Sequence, residues 1–498
     1  MTVSMNSIPG ELRVPLFYAE MDNSAANTAS VTTRSLLIGK CSSGSEIPVN
    51  TLQIMPSKDL AKKMAGRGSQ LARMVEAYRR VDPFGELWVI ALPDSGGGSA
   101  GKVKVSGKAT EAGSLNLYVG SHRVQVGVAR NDTASQVLSA LESAINRDED
   151  LAVRASAGSN DTLIIQSVNG GAETNHIPLT LNYFGATSGE YIPPGLNIQI
   201  EEMSGGAGDP DFFYTIPALA DEPFDFIGVP YSDSATLQYI NAEMNDSSGR
   251  WSYLRQIYGH VYTARAGTVS ELVAFGDTLN NQHITVAGYE KEVQTCLDEL
   301  VAARLARQAI FVRNDPARPT QTGEINGALP APAGKRFTIT EQQSLLAHGI
   351  ATAYTESGVL RIQRDITTYK TNAYGVPDNS YLDSETLHTS AYVLRRLKAI
   401  ITSKYGRHKL ANDGTRFGPG QAIVTPAVIR GELCAAYRQM EREGIVENFE
   451  MFQKHLIVER NATDSNRLDV LFPPDYVNQL RVFAVLNQFR LQYNEGIE

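Results

Sequence analysis

The chain has 498 residues, of which 42% are hydrophobic and 20% charged, with a formal net charge of -9. That length exceeds what one hydrophobic core organises, so three or four domains are expected. The mildly acidic balance argues against a protein that coats nucleic acid, which needs a strongly basic face.

The cysteines, Cys41, Cys296 and Cys434, are far apart and odd in number. That fits a reducing compartment and not a disulfide scaffold. Met1–Gly10 is polar and lacks the apolar core of a signal peptide, and no apolar run approaches the length of a membrane span.

Residues 1–30 have little periodicity. VPLFYAE reads as one short strand and DNSAANTAS as a flexible connector, so the segment is either a frayed terminus or an arm ordered by a neighbouring subunit. Ser35–Gly39 reads as a buried strand. Lys58–Met64 and, after a glycine break, Ser69–Arg80 read as helical, with Leu71, Met74, Val75 and Tyr78 on one face. ELWVIAL (Glu86–Leu92) returns to strand, which gives an α/β layer.

A glycine-rich hinge, Asp94–Ala100, follows. Strands are expected at Lys102–Val105, Ser114–Val119, Arg123–Val128, Asp161–Val168 and Ile177–Tyr183, with one helix at Thr133–Ile145. Residues 98–185 therefore read as an inserted strand-rich domain. Residues 31–97 and 211–335 are the two parts of an α/β middle domain, and 186–210, with PPG and SGGAG, is a linker.

The middle domain resumes with FDFIGV as a strand. Helices are expected at Ser234–Met244, Arg250–Arg255, Thr268–Thr278 and Glu290–Phe311, and strands at Gly259–Thr263 and Ile284–Ala287. This alternation suits a parallel or mixed sheet with covering helices. Val312–Phe337 is loop, Thr340–Gly349 a short helix and Val359–Tyr369 one long alternating strand or two.

Leu382–Tyr405 reads as a long helix, with Asp383 or Ser384 as its cap. Thr425-Pro426 opens another, threonine at N-cap and proline at N1, with Ile429, Leu433, Ala436 and Met440 as its stripe. Two short strands, Leu456–Val458 and Leu468–Leu471, flank a polar turn. Pro473-Pro474 then breaks the chain, and Tyr476–Tyr493 follows as an apolar segment that no later element covers. It either lies back on its own domain or joins another subunit's sheet. Residues 336–475 form the C-terminal domain and 476–498 a C-terminal arm strand.

No chemistry-bearing constellation stands out. GGGSAGKV, ending at Val103, nearly spells a phosphate loop, but a strand pattern follows where a helix N-terminus is needed, so it reads as a hinge. The histidines lack metal-ligand spacing, and no cysteine carries a recognisable nucleophile signature. No catalytic, cofactor-binding or metal residues are expected. Glu459, Arg460, Asp464, Arg467 and Asp469 form a dense mixed-charge run, either a solvated hairpin or an ion-pair network that fixes subunit register.

The phrases VERNATDSNRLDV (Val458–Val470) and PPDYVNQLRVFAV (Pro473–Val485) closely resemble the end of contractile tail sheath proteins of Mu-like phages and prophages. The resemblance extends to KYGRHKLANDG, TPAVIRGELCA and GIVEN, and to an opening VPLFYAEMDNSAA. It implies a multi-domain α/β (α+β) fold, mixed sheets with covering helices, and extended arms at both ends. It further implies stacked hexameric rings around a tail tube, built extended and contracting to drive the tube through the host envelope for genome ejection.

The implied partners are other copies of the chain, the tail tube protein, the baseplate and the tail terminator, with no direct nucleic-acid contact and no membrane insertion. The implied location is the virion, after assembly in the host cytoplasm. By the same resemblance Val14, Leu16 and Tyr18 belong to an exchanged N-terminal strand, and Val477, Leu480, Val482, Ala484 and Leu486 to an exchanged C-terminal one. The C-terminal third is placed near the tube and the inserted domain outwards. A non-contractile tail or baseplate component, and a soluble enzyme with a site assembled from distant segments, are the alternatives. Removal of Met1–Asn27 is expected to abolish ring or tubular assemblies in negative-stain images; unchanged assemblies would exclude the N-terminal segment as a connector.

Overall fold

The computed structural model describes residues 33–491. The expected N-terminal arm, with Val14, Leu16 and Tyr18, lies outside the described residues. The chain opens with β1 (Arg34–Lys40), β2 (Leu52–Ile54), α1 (Lys58–Ala65), α2 (Gln70–Val81) and β3 (Glu86–Leu92). It leaves this layer for β4 (Ala100–Gly107), β5 (Gly113–Val119), β6 (His122–Val128), α3 (Ala134–Arg147), β7 (Val153–Ala157), β8 (Thr162–Ser167), β9 (Leu179–Leu181) and β10 (Leu196–Ser204). It returns through α4 (Thr215–Ala218), β11 (Phe226–Gly228), α5 (Ser234–Met244), β12 (His260–Gly267), α6 (Val269–Asp277), β13 (Ile284–Glu290) and α7 (Leu297–Asn314).

These two parts build one six-stranded sheet, ordered β13-β12-β11-β1-β3-β2 and parallel except for β2 at its edge. The strands are near-continuous apolar runs because both faces are covered. Leu37, Val89, Phe226 and Tyr262 face a core shared with α2 and α7. Leu36, Ile90, Ile227 and Val286 face the opposite core, with Leu237 and Ile240 of α5 and Leu272 of α6. The helix starts follow local chemistry: Thr133/Gln136 and Thr268/Glu271 close reciprocal capping boxes.

Two expectations in this layer are corrected. The long helix starts at Leu297, not Glu290, because β13 runs through Glu290 before the chain turns. Arg250–Arg255 is a knot of turns, not a helix. Gln256 and Tyr258 have positive φ, and the buried Arg250 guanidinium donates to the carbonyls of Glu222 and Tyr258. An arginine spent on backbone carbonyls organises a loop that its helical propensity does not describe.

The inserted segment holds two antiparallel sheets, β10-β4-β8-β7 and β6-β5-β9, with α3 packed on them around a separate core. The expected linker, 186–210, contains β10. It pairs with β4 from Leu196↔Gly107 to Glu201↔Lys102. Its alternating apolar residues, Leu196, Ile198 and Ile200, carried the signal, which the glycine-rich flanks obscure. The segment enters and leaves through paired backbone, Gly97 N–H donating to the Ala207 carbonyl at 2.8 Å. That pairing makes GGGSAGK a strand entry. Lys102 turns out to Glu201 at 2.8 Å.

Buried polar contacts fix the insert to the central layer. Lys40 Nζ, with a fully buried side chain, meets Glu173 at 2.7 Å and donates to the Gly170 carbonyl at 2.7 Å. Asn169 accepts from Gln70 N–H at 2.8 Å and donates to the Cys41 carbonyl at 2.9 Å. Beside this seam Arg73 of α2 bridges Asp298 (2.6 Å) and Glu299 (3.1 Å) of α7.

The C-terminal part comprises α8 (Ile339–Ala347), β14 (Thr352–Glu356), β15 (Val359–Arg364), α9 (Ser384–Tyr405), β16 (Lys409–Leu410), β17 (Ile423–Val424), α10 (Pro426–Arg442), α11 (Phe449–His455), β18 (Ile457–Arg460) and β19 (Leu468–Leu471). Of the one long strand or two expected over Val359–Tyr369, β15 occupies Val359–Arg364 and pairs with the upstream β14 in a hairpin turned at Ser357-Gly358, both at positive φ. Ile429, Leu433, Tyr437 and Met440 of α10 pack with Val446, Phe449 and Phe452 as the C-terminal core.

Replacing Arg73 by Met leaves two buried carboxylates without their cation. It should lower stability by about 3–5 kcal/mol, read as a fall in calorimetric melting temperature.

Candidate assembly interface

The last element pairs around Tyr437 on α10. Its ring stacks on Phe452 with centroids 3.7 Å apart, and Phe472 packs edge-on against Phe452. Its hydroxyl donates to the Glu447 carbonyl at 2.6 Å and accepts from Asp475 N–H at 3.1 Å. Glu447 N–H donates to the Asp475 carbonyl at 2.9 Å and Val477 N–H to the Ile445 carbonyl at 3.2 Å, around the antiparallel bridge Val446↔Tyr476. Asn448, held at φ 57°, adds its side-chain amide to Asp475 at 2.6 Å. The double proline at 473–474 thus delivers the chain to a prepared backbone edge.

Beyond this bridge no residue of 477–491 lies in a strand. Of the expected exchange residues, Val477 is half-buried at the bridge, while Leu480, Val482, Ala484 and Leu486 are exposed. Side-chain contacts still hold the root. Gln479 Nε2 donates to the Ala317 carbonyl at 3.0 Å, and Gln321 Nε2 to the Leu480 carbonyl at 3.3 Å. Arg481 reaches Asp383 and Glu385, each at 3.1 Å, and Gln321 at 3.1 Å.

Past Arg481 the character changes. Val482, Phe483, Val485, Leu486, Phe489 and Leu491 are between 69% and 98% exposed. A contiguous apolar stretch this exposed marks an interaction surface. Earlier in the chain, β18 and β19 form a sheet of two strands among the described residues. Ile457, Val470 and Leu471 are exposed on it. A two-stranded ribbon is marginal alone and offers open edges to an added strand.

Within the chain the mixed-charge run forms one ion pair, Arg467–Asp469 at 2.5 Å. Arg460 donates to the Ser465 carbonyl (2.7 Å) and Asn412 (3.0 Å), and Asp464 caps the turn by accepting from Asn466 N–H at 2.9 Å. Glu459 sits opposite Asp469 across the ladder. Hydrogen bonding from Asn461 and then Arg467 favours the charged form of Asp469 and holds its carboxyl below its usual range.

The substantial charge network lies elsewhere, and local sequence reasoning missed it. Arg304 of α7 pairs with buried Asp365 at 2.8 Å. Thr320 bridges Asp365 (3.2 Å) to Glu385 (2.7 Å), and Glu385 meets Arg481. Arg481 also meets Asp383, which Arg364 grips with two contacts at 2.8 Å. Asp383, one of the two residues expected to cap α9, stands at the N-cap position but makes no side-chain capping bond, its carboxylate being engaged by these arginines. Burial pushes the Glu385 carboxyl up, against the opposing pull of Arg481.

A second seam joins α9 to the central sheet. Arg395 pairs with Asp225, and His388 shares a hydrogen bond with the Tyr262 hydroxyl at 2.9 Å. A cavity of about 340 Å³ opens nearby, lined by His283, Leu394, Phe472, Pro474 and Tyr476 among others. Cys296, Asp298 and Glu299 also come together, but the Arg73 guanidinium already engages both carboxylates, and burial pushes the thiol well up. That is a poor place for a thiolate-bound cation.

The phage tail sheath protein central domain model matches residues 205–368, and the phage tail sheath C-terminal domain model matches 376–490. The Mu-like prophage FluMu tail sheath protein of Haemophilus influenzae is 36% identical over 497 residues, covering 99% of this chain and 100% of that one. Among solved structures, the sheath tail protein of Desulfitobacterium hafniense matches with a TM-score of 0.50 at 11% identity, covering 94% of this chain and 97% of that one. The sheath tail protein of Listeria innocua gives 0.48 at 12% identity, covering 91% and 94%.

The α9 seam is acid-sensitive. Burial pushes His388 down to about 4. The unfolded chain, titrating near 6.5, binds the extra proton first, so stability is present above pH ~6.5 and is lost as pH falls through about 4. Melting temperature should therefore fall more steeply between pH 6.5 and 4 in the native chain than in a His388→Gln variant.

Proposed function

This chain belongs to the phage tail sheath protein family, and from that premise we propose that it polymerises as stacked hexameric rings around a tail tube and contracts to drive the tube through a host envelope. It is a structural component of a contractile tail, part of the virion. The observation that carries the finer reading is that the same chain holds an exposed apolar segment, Val482–Leu491, and, among the described residues, a β18–β19 sheet of two strands. An extended segment of one copy added to the β18–β19 ribbon of another would supply the missing ladder bonds and cover both apolar surfaces.

Such a contact is heterologous: the donor surface differs from the acceptor surface. Repeated with rotation it closes a ring, and repeated with rotation and rise it grows a helix. Contraction needs two packings of the same bodies with connectivity kept through the transition. Arms that stay paired while bodies rotate provide it. Free energy stored at assembly drives the change, so neither a nucleotide nor a catalytic residue is required. The tube protein, baseplate and tail terminator are the partners of this assembly, and the C-terminal part faces the tube.

The test is deletion of residues 482–498. Full-length chain should form tubes in negative-stain images. The truncated chain should keep its circular dichroism and form none. Tubes from the truncated chain would overturn arm exchange at this end, and small closed rings from the full chain would favour a non-contractile tail or baseplate component.

A further inference from the structure

Bonds from the C-terminal segment to its own body run as far as Arg481, while exposed apolar side chains begin at Leu480 and continue past it. Upstream, Asp475, Val477, Gln479, Leu480 and Arg481 are each bonded to the body of their own chain. Downstream, the apolar side chains stand in the open. We propose that Arg481 is a fixed pivot: residues 473–481 stay on their own subunit in every state of the assembly, and only the chain from Val482 onward crosses to a neighbour.

The reason is charge balance in a buried place. Arg304, Arg364 and Arg481 face Asp365, Asp383 and Glu385. The two sides cancel. The Asp365 and Glu385 side chains are fully buried, and the Arg481 side chain is 11% exposed. If the root left with the arm, Arg481 would leave too. Among the described residues Glu385 would then keep hydrogen bonds from Thr320 and a long one from Ser384, with Arg364 acting on it without a direct contact and Asp365 and Asp383 opposing it. An unpaired buried carboxylate is strongly unfavourable, far more so than an exposed one.

The next layer of contacts favours the same boundary. Ala317 and Gln321, which hold Gln479 and Leu480, flank Thr320 on the loop that feeds the network. The network reaches α7 of the central sheet through Arg304. The pivot is therefore tied to the rigid body as a whole and not to a surface loop alone. Of the residues first expected to exchange, Val477 and Leu480 belong to the fixed root, and Val482, Ala484 and Leu486 to the crossing segment. The inference rests on arm exchange as proposed above.

Hydrogen exchange read by mass spectrometry tests it on the full chain, unassembled and as tubes. The Val477 and Glu447 amides, bonded across the Val446↔Tyr476 bridge, should be protected equally in both samples. Amides from Phe483 to Leu491 should gain protection only in tubes. A boundary upstream of Val477, with the bridge amides changing on assembly, would overturn the pivot and leave arm exchange standing. No change anywhere from 476 to 491 would sink arm exchange itself.

Arg481→Met should raise exchange at Val477 about tenfold in the unassembled chain, as loss of a charge-assisted anchor requires. Because that variant strands Glu385, the pair Arg481→Met with Glu385→Gln provides a body without the stranded charge, and the same rise is expected there. Unchanged exchange at Val477 in the double variant would remove Arg481 from the role.

Discussion

Three arginines and three carboxylates, gathered where the central sheet, helix α9 and the C-terminal segment meet, set the geometry on which the rest of this molecule depends. Arg304 comes from α7, Asp365 from the end of β15, Asp383 and Glu385 from the start of α9, and Arg481 from the last described stretch. Such a cluster is not a large source of net stability, since desolvation offsets much of the attraction. Its consequence is geometric. Each charge is satisfied only when every contributing element is in place, so the domain junction has one arrangement and the arm one point of departure.

The same logic operates at the other junction. Lys40 and Glu173, with Gln70 and Asn169, lie between the central layer and the inserted strands. Polar groups with no water to fall back on tolerate little sliding. The insert is therefore carried as part of the body, not hung from a flexible hinge, although glycines frame its entrance. Gly97 and Ala207 pair through backbone there, and Gly96 is tight against the Ala207 carbonyl, where an added Cβ would come within 2.4 Å. The glycines permit a close crossing of two chains, which composition alone does not distinguish from a loose linker.

What the sequence made legible was local. Ser35–Gly39, the α2 stripe, Thr425-Pro426 and the hairpin around 460–467 are each specified by neighbours within a few residues. Apolar period, capping chemistry and turn residues suffice for these. β10 was obscured because its alternation is short and flanked by glycine, and Arg250–Arg255 because a buried arginine bonded to carbonyls leaves no pattern. The charges show the limit most clearly. Glu459 to Asp469 are close in sequence and yield one exposed pair, whereas Arg481 and Glu385, 96 residues apart, meet in the interior. Proximity in sequence is a poor guide to which charges pair. Burial decides, and burial is a property of the fold.

A fixed root also answers an energetic difficulty of any exchanged arm. Covering each exposed apolar side chain gains about 1.5–3 kcal/mol, but ordering an extended residue costs about 1–2 kcal/mol of backbone entropy. Those magnitudes are comparable, so burial alone gives an arm only a modest hold on its neighbour. Ladder bonds add to it, and tethering adds more. Residues 482–491 alone reach about 33 Å when extended, and tethering at Arg481 would confine a crossing segment to the surroundings of its own body. Under the proposed exchange, the next copy's open sheet edge would be met at high effective concentration. Were the root to peel away as well, that volume would grow and the geometry relating one body to the next would loosen. A polymer whose bodies must rotate without losing their partners is better served by a short crossing segment on an immovable base than by a longer one that is free throughout.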